Sequence, residues 1–276
     1  MRSNPLVSIV TPTLDAIGFL DEYADSVLSQ SYKKVELIFV DGGSTDGTLA
    51  RLHDYQHRHP DRVRVVLANR SGVGTAWNLG LKTARGEIFG CLGADDICEP
   101  GAIGTVVDYF ERHPEAQFLH GACELIDEAG TIVSHHRPHD VFDYDDFVNT
   151  AREIATPSAY CRREVMERIG WLDSSGDDFD VMLRVAKLFR VHSTSDVLSR
   201  LRIRRGSAFN RSDLRERLPQ ARETFLISRR HGGGPLSRIA VRYYVYRILA
   251  GLRLAPLYNV LKEYSRDWRR RLATRT

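Results

Sequence analysis

Residues 35–47 read VELIFVDGGSTDG, and this stretch decides the fold class. Positions 35–40 form a short, mostly apolar run, as in a buried strand. The run stops at Asp41-Gly42-Gly43, and Ser44 or Thr45 can cap a helix running to about residue 58. The same alternation extends to either side. Residues 6–10 (LVSIV) read as a strand stopping at a Thr11-Pro12-Thr13 loop, and residues 18–30 carry Phe19, Leu20, Tyr23, Val27 and Leu28 at helical spacing. Residues 63–67 are a third strand and 74–84 a helix. Residues 87–92 (EIFGCL) are a fourth strand, ending at Gly93-Ala94-Asp95-Asp96. Pro100 suits the first turn of the next helix. Strands alternating with helices of about 10–15 residues mean βαβ units and a mainly parallel sheet, the α/β class.

After residue 115 the pattern changes. Residues 117–126 and 131–136 flank Asp127-Glu128-Ala129-Gly130, a hairpin signal. Residues 158–162, 189–193 and 197–204 are further strand candidates, and 165–169 and 178–188 read as helices. This half extends the same sheet.

The chain has 276 residues, 42% hydrophobic and 27% charged, with a formal net charge of +3. That balance excludes a fibrous or wholly disordered chain. The four cysteines form no CxxC pair and no zinc spacing, so buried free thiols in a reducing compartment are expected. A strand-like run follows the first five residues directly, so no signal peptide is expected. No run of about 18 uncharged apolar residues occurs, so no spanning helix is expected either. A cytoplasmic location follows, with the inner face of the membrane as a peripheral alternative.

The small net charge is a cancellation. Residues 200–276 hold nineteen arginines and one lysine against five acids, a net +15, and residues 1–199 carry −12. Gly232-Gly233-Gly234-Pro235 reads as a linker. Beyond it, Ile239, Val241, Tyr243, Tyr244, Ile248, Leu249 and Leu252 mix with Arg238, Arg242, Arg247 and Arg253 in a helical stretch. The basic region carries none of the usual nucleic-acid motifs, so no nucleic-acid partner is expected. Attachment to an anionic membrane surface is one reading. Packing on the acidic part of the chain or on a second copy is the other.

In open α/β sheets ligands sit outside the carboxyl ends of the strands. Three polar clusters fall there: Thr11-Pro12-Thr13, Asp41-Gly42-Gly43 and Asp95-Asp96. Paired carboxylates in a loop can hold a hard divalent cation against a diphosphate, or they can form a solvated turn before a helix. Asp41 opens a stretch that is neither a Walker A motif nor GxGxxG. It is a βα-turn cap, or an acceptor for donor groups of a base or ribose. Asp177-Asp178-Phe179-Asp180 opens an apolar-rich helix, where acids suit the helix dipole. Burial beside other carboxylates would instead suit one of them to act as a general base.

Together, SIVTPT, VDGGSTDGT, NLGLKTARGEIFGCLGADD and GWLD…DDFDVMLRVA resemble the family-2 glycosyltransferases of GT-A fold, in order and spacing. The resemblance runs from about residue 7 to 207. It implies a GT-A domain over 1–207 and a basic, mainly helical extension over 208–276. It further implies that Thr11, Pro12 and Thr13 line a nucleotide pocket, that Asp41 contacts the nucleobase, and that Asn78 packs near the donor. Asp95 and Asp96 would bind ribose and Mn²⁺ or Mg²⁺, and Asp178 would be the catalytic base. Gly93 stands where the family has its first DxD acid, so metal binding rests on Asp95 and Asp96. The family's acid and tyrosine are missing from Gly72-Val73-Gly74-Thr75-Ala76-Trp77. In LRIRRGS, Arg204 replaces the family's His. Arg202 and Arg204 either pair with a diphosphate or are exposed strand charges. The implied reaction is inverting transfer from a nucleotide-diphosphate sugar, UDP-sugar favoured, to a glycan or lipid-linked acceptor in bacterial polysaccharide or glycolipid assembly. The rivals are a non-catalytic nucleotide-sugar-binding module and a nucleotidyltransferase.

Overall fold

The computed structural model describes residues 4–69, 72–138, 142–151, 154–170, 178–204, 214–252 and 254. The chain divides into two compact units, one formed by residues up to 142 with 153–203, the other by 143–152 with residues from 204 onward. The expected boundary at 207/208 lies outside the described residues, as do Asp177, Arg205 and Arg253.

In the first unit β1 (Val7–Thr13), α1 (Ile17–Leu28), β2 (Val35–Asp41), α2 (Thr48–Arg58), β3 (Val63–Leu67), α3 (Val73–Thr83) and β4 (Ile88–Cys91) realise the strand–helix alternation. There follow β5 (Ile97–Cys98), α4 (Ala102–Arg112), β6 (Phe118–Ile126) and β7 (Ile132–His136). Helix α5 (Tyr144–Thr150) belongs to the second unit. The first unit resumes with a 3₁₀ turn (Thr156–Ser158), β8 (Ala159–Arg162), α6 (Arg163–Ile169), α7 (Asp178–Leu188) and β9 (Val191–Arg202). The sheet order is β3-β2-β1-β4-β8-β6-β9-β5, with β7 paired to β6. Strands β3, β2, β1 and β4 are parallel throughout, and β6 runs parallel to β9. Strand β8 joins the two parallel groups antiparallel to both neighbours. All seven residues of β2 are buried, the environment its mostly apolar run requires.

Four boundaries differ from the sequence reading, the first being that of α4, where Gly101 is the N-cap and Pro100 precedes the helix instead of standing in its first turn. Strand β1 continues through Thr11-Pro12-Thr13. Val10 O accepts from Leu92 on the β4 side and Thr13 O from Gly42 on the β2 side. By alternation Pro12 faces the β4 side, where pairing has ended at Val10–Cys91, so its missing N–H costs no ladder bond. Helix α2 starts at Thr48 because Gly47 takes a left-handed φ of 100° and Asp46, not Ser44 or Thr45, accepts from Thr48 N at 3.0 Å. The two strands expected at 189–193 and 197–204 are the single strand β9, whose register against β6 shifts around Ala122. That bulge absorbs the polar interruption.

Helix α3 lies so close to the sheet that a Cβ on Gly80 would sit 2.3 Å from Val10 Cγ1 and 2.9 Å from Val40 Cγ2. Only glycine permits that approach, which brings Trp77 and Asn78 toward the strand ends. At the opposite end of the strands Glu36 is buried and accepts from Ser8 Oγ at 2.6 Å and from the Arg64 guanidinium at 2.8 Å. Arg85 and Gly86 donate to it as well. Burial by itself would raise this carboxyl, but the Ser8, Arg85 and Arg64 donors outweigh it and hold Glu36 below the ordinary glutamate range. A depressed folded-state pKa stabilises the fold above the unfolded-state value, and the gain is lost as pH falls through the folded value. We expect Glu36→Ala to cost about 3 kcal/mol at neutral pH. Urea midpoints at pH 7 and pH 3 should show the gap to wild type narrowing in acid.

In the second unit α8 (Leu214–Arg230) and α9 (Arg238–Gly251) pack through Phe225 and Tyr243, stacked at 5.0 Å between ring centroids. Ser228 Oγ donates to Val148 O of α5 at 2.7 Å, and Gly234 N donates to Asn149 Oδ1 at 2.7 Å. The expected linker at 232–235 is therefore a packed turn, closed by Gly233 N donating to Ser228 O. All four cysteines are free, three of them buried. Among the described residues no helix is long and apolar enough to cross a membrane.

Candidate active site

The parallel strands bring the three polar clusters to one edge. Thr13 pairs in register with Asp41, and Gly42 N donates to Thr13 O at 2.8 Å. Asp41 is buried and turned onto its own loop. Its Oδ2 accepts from Gly43 N at 2.8 Å and Ser44 N at 3.0 Å, and its Oδ1 accepts from Ser44 Oγ at 2.6 Å. Thr11 is buried against the Tyr23 hydroxyl, and Thr13 Oγ1 donates to Thr11 O at 3.1 Å. Burial lifts the Tyr23 phenol well above its usual range, so it stays neutral. Of the Thr11-Pro12-Thr13 trio, only Pro12 is half-exposed; both threonine side chains turn inward. Asn78 is half-buried on α3.

The loop after β4 carries Asp95, half-buried, and Asp96, buried. Asp96 Oδ2 accepts from Gly93 N at 2.9 Å, and Asp96 Oδ1 accepts from Arg202 N at 3.1 Å. Burial, and after it the neighbouring Asp95 charge, push the Asp96 carboxyl up to about 7 against those two donors. A Cβ on Gly93 would sit 2.9 Å from both Asp95 Oδ1 and Asp96 Oδ2. The two carboxylates therefore converge over the space that glycine leaves open. That donor set fits a hard divalent cation, whose charge would offset both acids. Among the described residues no cluster of three or more His, Cys, Asp or Glu side chains is placed to hold a metal. Further ligands would have to come from water or from the phosphates of a bound nucleotide, as Mg²⁺ sites commonly arrange.

Arg202 corrects one expectation. It is buried, and its guanidinium is committed to protein. Nε donates to Asp95 O at 2.9 Å, one terminal nitrogen to the carbonyls of Asp127 at 3.2 Å and Glu128 at 3.1 Å, and the other to Glu22 at 2.6 Å. Its face lies 5.0 Å from the Phe19 ring centroid. With these donors used, Arg202 clamps the Asp95-Asp96 loop to the β6–β7 hairpin and α1; it does not face outward toward a diphosphate. Arg204 is half-exposed past the end of β9.

Asp178 opens α7, and Thr156 Oγ1 donates to its Oδ2 at 2.5 Å. The residue is reached by solvent, yet protein surrounds the carboxyl closely enough that desolvation raises its pKa. The Thr156 hydroxyl and the N–H groups of Asp178 and Phe179 oppose that rise. Asp178 borders an apolar cavity lined also by Trp77, Cys91, Tyr160 and Met182. The cavity is partly open to solvent and has a volume of about 50 Å³. Cys91 is the last residue of β4, so this cavity and the Asp95-Asp96 loop flank the same strand end. Ser158, in the same 3₁₀ turn as Thr156, bonds Ser199 Oγ at 2.6 Å on β9, the strand that ends at Arg202. Thr156, Glu22 and Tyr23 carry no motif. In the sequence Tyr23 is marked only by its helical spacing and Thr156 only by the Thr156-Pro157 turn signal.

The fold has solved counterparts. A Pyrobaculum calidifontis mannosyltransferase, PcManGT, solved with GDP-Man and Mn²⁺, is 22% identical with a TM-score of 0.61, over 87% of this chain and 69% of that one. Residues 1–349 of S. aureus TarS, solved with UDP-GlcNAc, are 17% identical with a TM-score of 0.60, over 87% and 72%. These identities establish the fold, α/β of the GT-A type. Among sequences, the Myxococcus xanthus O-antigen biosynthesis protein RfbC is 34% identical over 68% of this chain and 15% of its own length. The chain spans about a fifth of the length of several curated relatives that it matches. The sequence pattern of glycosyl transferase family 2 matches residues 8–169, from β1 through α6 and including Asp41, Asp95 and Asp96, so the chain belongs to that family.

Proposed function

We propose that this chain transfers a sugar, with inversion, from a nucleotide-diphosphate sugar to an acceptor hydroxyl, with Asp178 as the general base. The observation that carries this reading is a solvent-reached carboxylate of raised proton affinity, held by Thr156 beside the strand end that also presents Asp95 and Asp96. Asp178 Oδ1 takes the acceptor proton while Thr156 holds Oδ2, so the base is oriented as the hydroxyl attacks. Asp95 and Asp96 are the residues that would hold Mn²⁺ or Mg²⁺. When bound there, the cation would neutralise charge on the departing diphosphate. Arg202 positions that loop. Pro12 and Asn78 border the nucleotide, while Thr11, Thr13 and Asp41, whose side chains are buried in their own strand ends and loop, set the shape of the pocket floor.

The catalytic part is the unit formed by residues up to 142 with 153–203, and the basic helices, together with α5, are an extension. UDP- or GDP-linked donors are favoured by the likeness to TarS and PcManGT, and a glycan or lipid-linked acceptor in polysaccharide assembly by the likeness to RfbC. Four free thiols suit a reducing, cytoplasmic compartment.

The test is to supply UDP-, GDP- and dTDP-sugars with Mn²⁺ or Mg²⁺ and measure nucleoside diphosphate release and the anomeric configuration of the product. The expected result is release that needs the cation, with an inverted product. Retained configuration would remove Asp178 from the base role. Donor binding without turnover would favour the binding-module reading, and pyrophosphate release from a nucleoside triphosphate would favour a nucleotidyltransferase.

A further inference from the structure

Helix α9 carries two apolar faces, and only one of them is packed. Ile239, Ala240 and Leu249 are buried, and Tyr243 stacks on Phe225 of α8. On the outer side Val241, Tyr244, Val245, Ile248 and Leu252 are 49%, 37%, 43%, 58% and 63% exposed; Tyr244 marks the edge of this stripe, its ring also lying 5.5 Å from that of Phe225. At 3.6 residues per turn these five positions fall within an arc of roughly 100°. Just before the Ser237 cap, Leu236 is 84% exposed. Arg238 and Arg242 border the stripe on one side and Arg247 on the other, all three exposed.

A helix apolar on both sides is normally buried on both. We propose that this outer face of α9 docks in the plane of an anionic lipid surface, independently of the catalytic reading above. The stripe is the shape of an interfacial helix, with arginines along its margins. Their apolar stems can follow the stripe while the guanidinium heads stay at the headgroups. The charge has the right sign and is regional: residues 200–276 carry a net +15. A second copy of this chain is the poorer occupant. A self-complementary contact on this stripe would set the Arg242 and Arg247 rows of the two copies against each other. At 14 residues α9 extends about 21 Å, which suits lying in the interface and does not reach across the hydrocarbon core.

Co-sedimentation of the full chain tests this with two vesicle types, phosphatidylcholine alone and phosphatidylcholine containing about 30% phosphatidylglycerol. The chain should pellet with the second and not the first, and the binding should weaken as salt is raised. Ile248→Asp with Leu252→Asp should reduce binding by at least about tenfold. Arg242→Gln and Arg247→Gln should each reduce it about fivefold. Because all four side chains are exposed, far-UV circular dichroism and the melting midpoint should not move, which separates lost docking from lost folding. Equal pelleting with both vesicle types, no pelleting, or variants that bind like wild type would overturn the proposal. So would a dimer in light scattering that Ile248→Asp converts to monomer without any vesicle binding.

Discussion

Asp178→Asn should slow sugar transfer by about 10²–10⁴-fold while leaving donor binding near wild type. The substitution keeps the shape of the side chain and an oxygen to accept from Thr156, and removes only the ability to take a proton. A variant that retained near wild-type transfer would show the base to lie elsewhere. Two pH measurements sharpen the test. Desolvation raises the Asp178 carboxyl, and the base works only when ionised, so the acid limb of kcat should lie above the ordinary aspartate range. The Thr156 hydroxyl lowers that carboxyl, so Thr156→Ala should move the limb to higher pH and Thr156→Ser should restore it. The linkage to stability has the opposite sense from Glu36. A carboxyl whose folded-state pKa is raised favours the fold below its unfolded value, and that advantage is lost as pH rises through the folded value. Asp178→Asn should therefore melt higher than wild type at pH 8, with the difference vanishing near pH 4.

Asp96→Ala should abolish the Mn²⁺ dependence of donor binding, with a loss of about 10–100-fold in affinity. The same change leaves Gly93 N and Arg202 N without their buried acceptor, so part of the loss is structural. Asp95→Ala separates the two contributions. Asp95 is half-buried, so its removal strips a carboxylate from the converging pair at smaller cost to the loop. Titrations of a nucleoside diphosphate with and without Mn²⁺ should show both variants losing the metal-dependent gain. An affinity that is unchanged by either substitution and indifferent to the metal would remove Asp95 and Asp96 from this role.

The parallel half of the sheet was legible because its signal is local. The 35–40 run, the glycine-rich turn behind it and the helical spacing that follows lie within about two dozen residues, and burial of β2 on both faces demands that composition. The boundaries slipped where partners decide. Thr11-Pro12-Thr13 reads as a loop until β2 is beside it, and 189–204 reads as two strands until the β6 bulge joins them.

The site divides in the same way. Asp41, Asp95, Asp96 and Asp178 stand out in the sequence as candidates because acids at strand ends and helix starts contrast with an apolar background. Their surroundings do not. In the sequence Arg202 reads as a diphosphate contact or an exposed strand charge; in the fold its donors serve Asp95, Asp127, Glu128 and Glu22, the last 180 positions away. Thr156 meets Asp178 across 22 residues, and the outer face of α9 is distinguishable from its packed face only once Phe225 has covered Tyr243. By itself the sequence determined the element types, the strand ends where chemistry gathers and the basic character of the C-terminal region, because hydrophobic period and charge are written along the chain. Only the tertiary structure decided which polar groups are already spent on protein partners and which remain for a ligand. A hydrogen bond between distant residues leaves no periodic trace, and whether a donor is free depends on which elements fold against it.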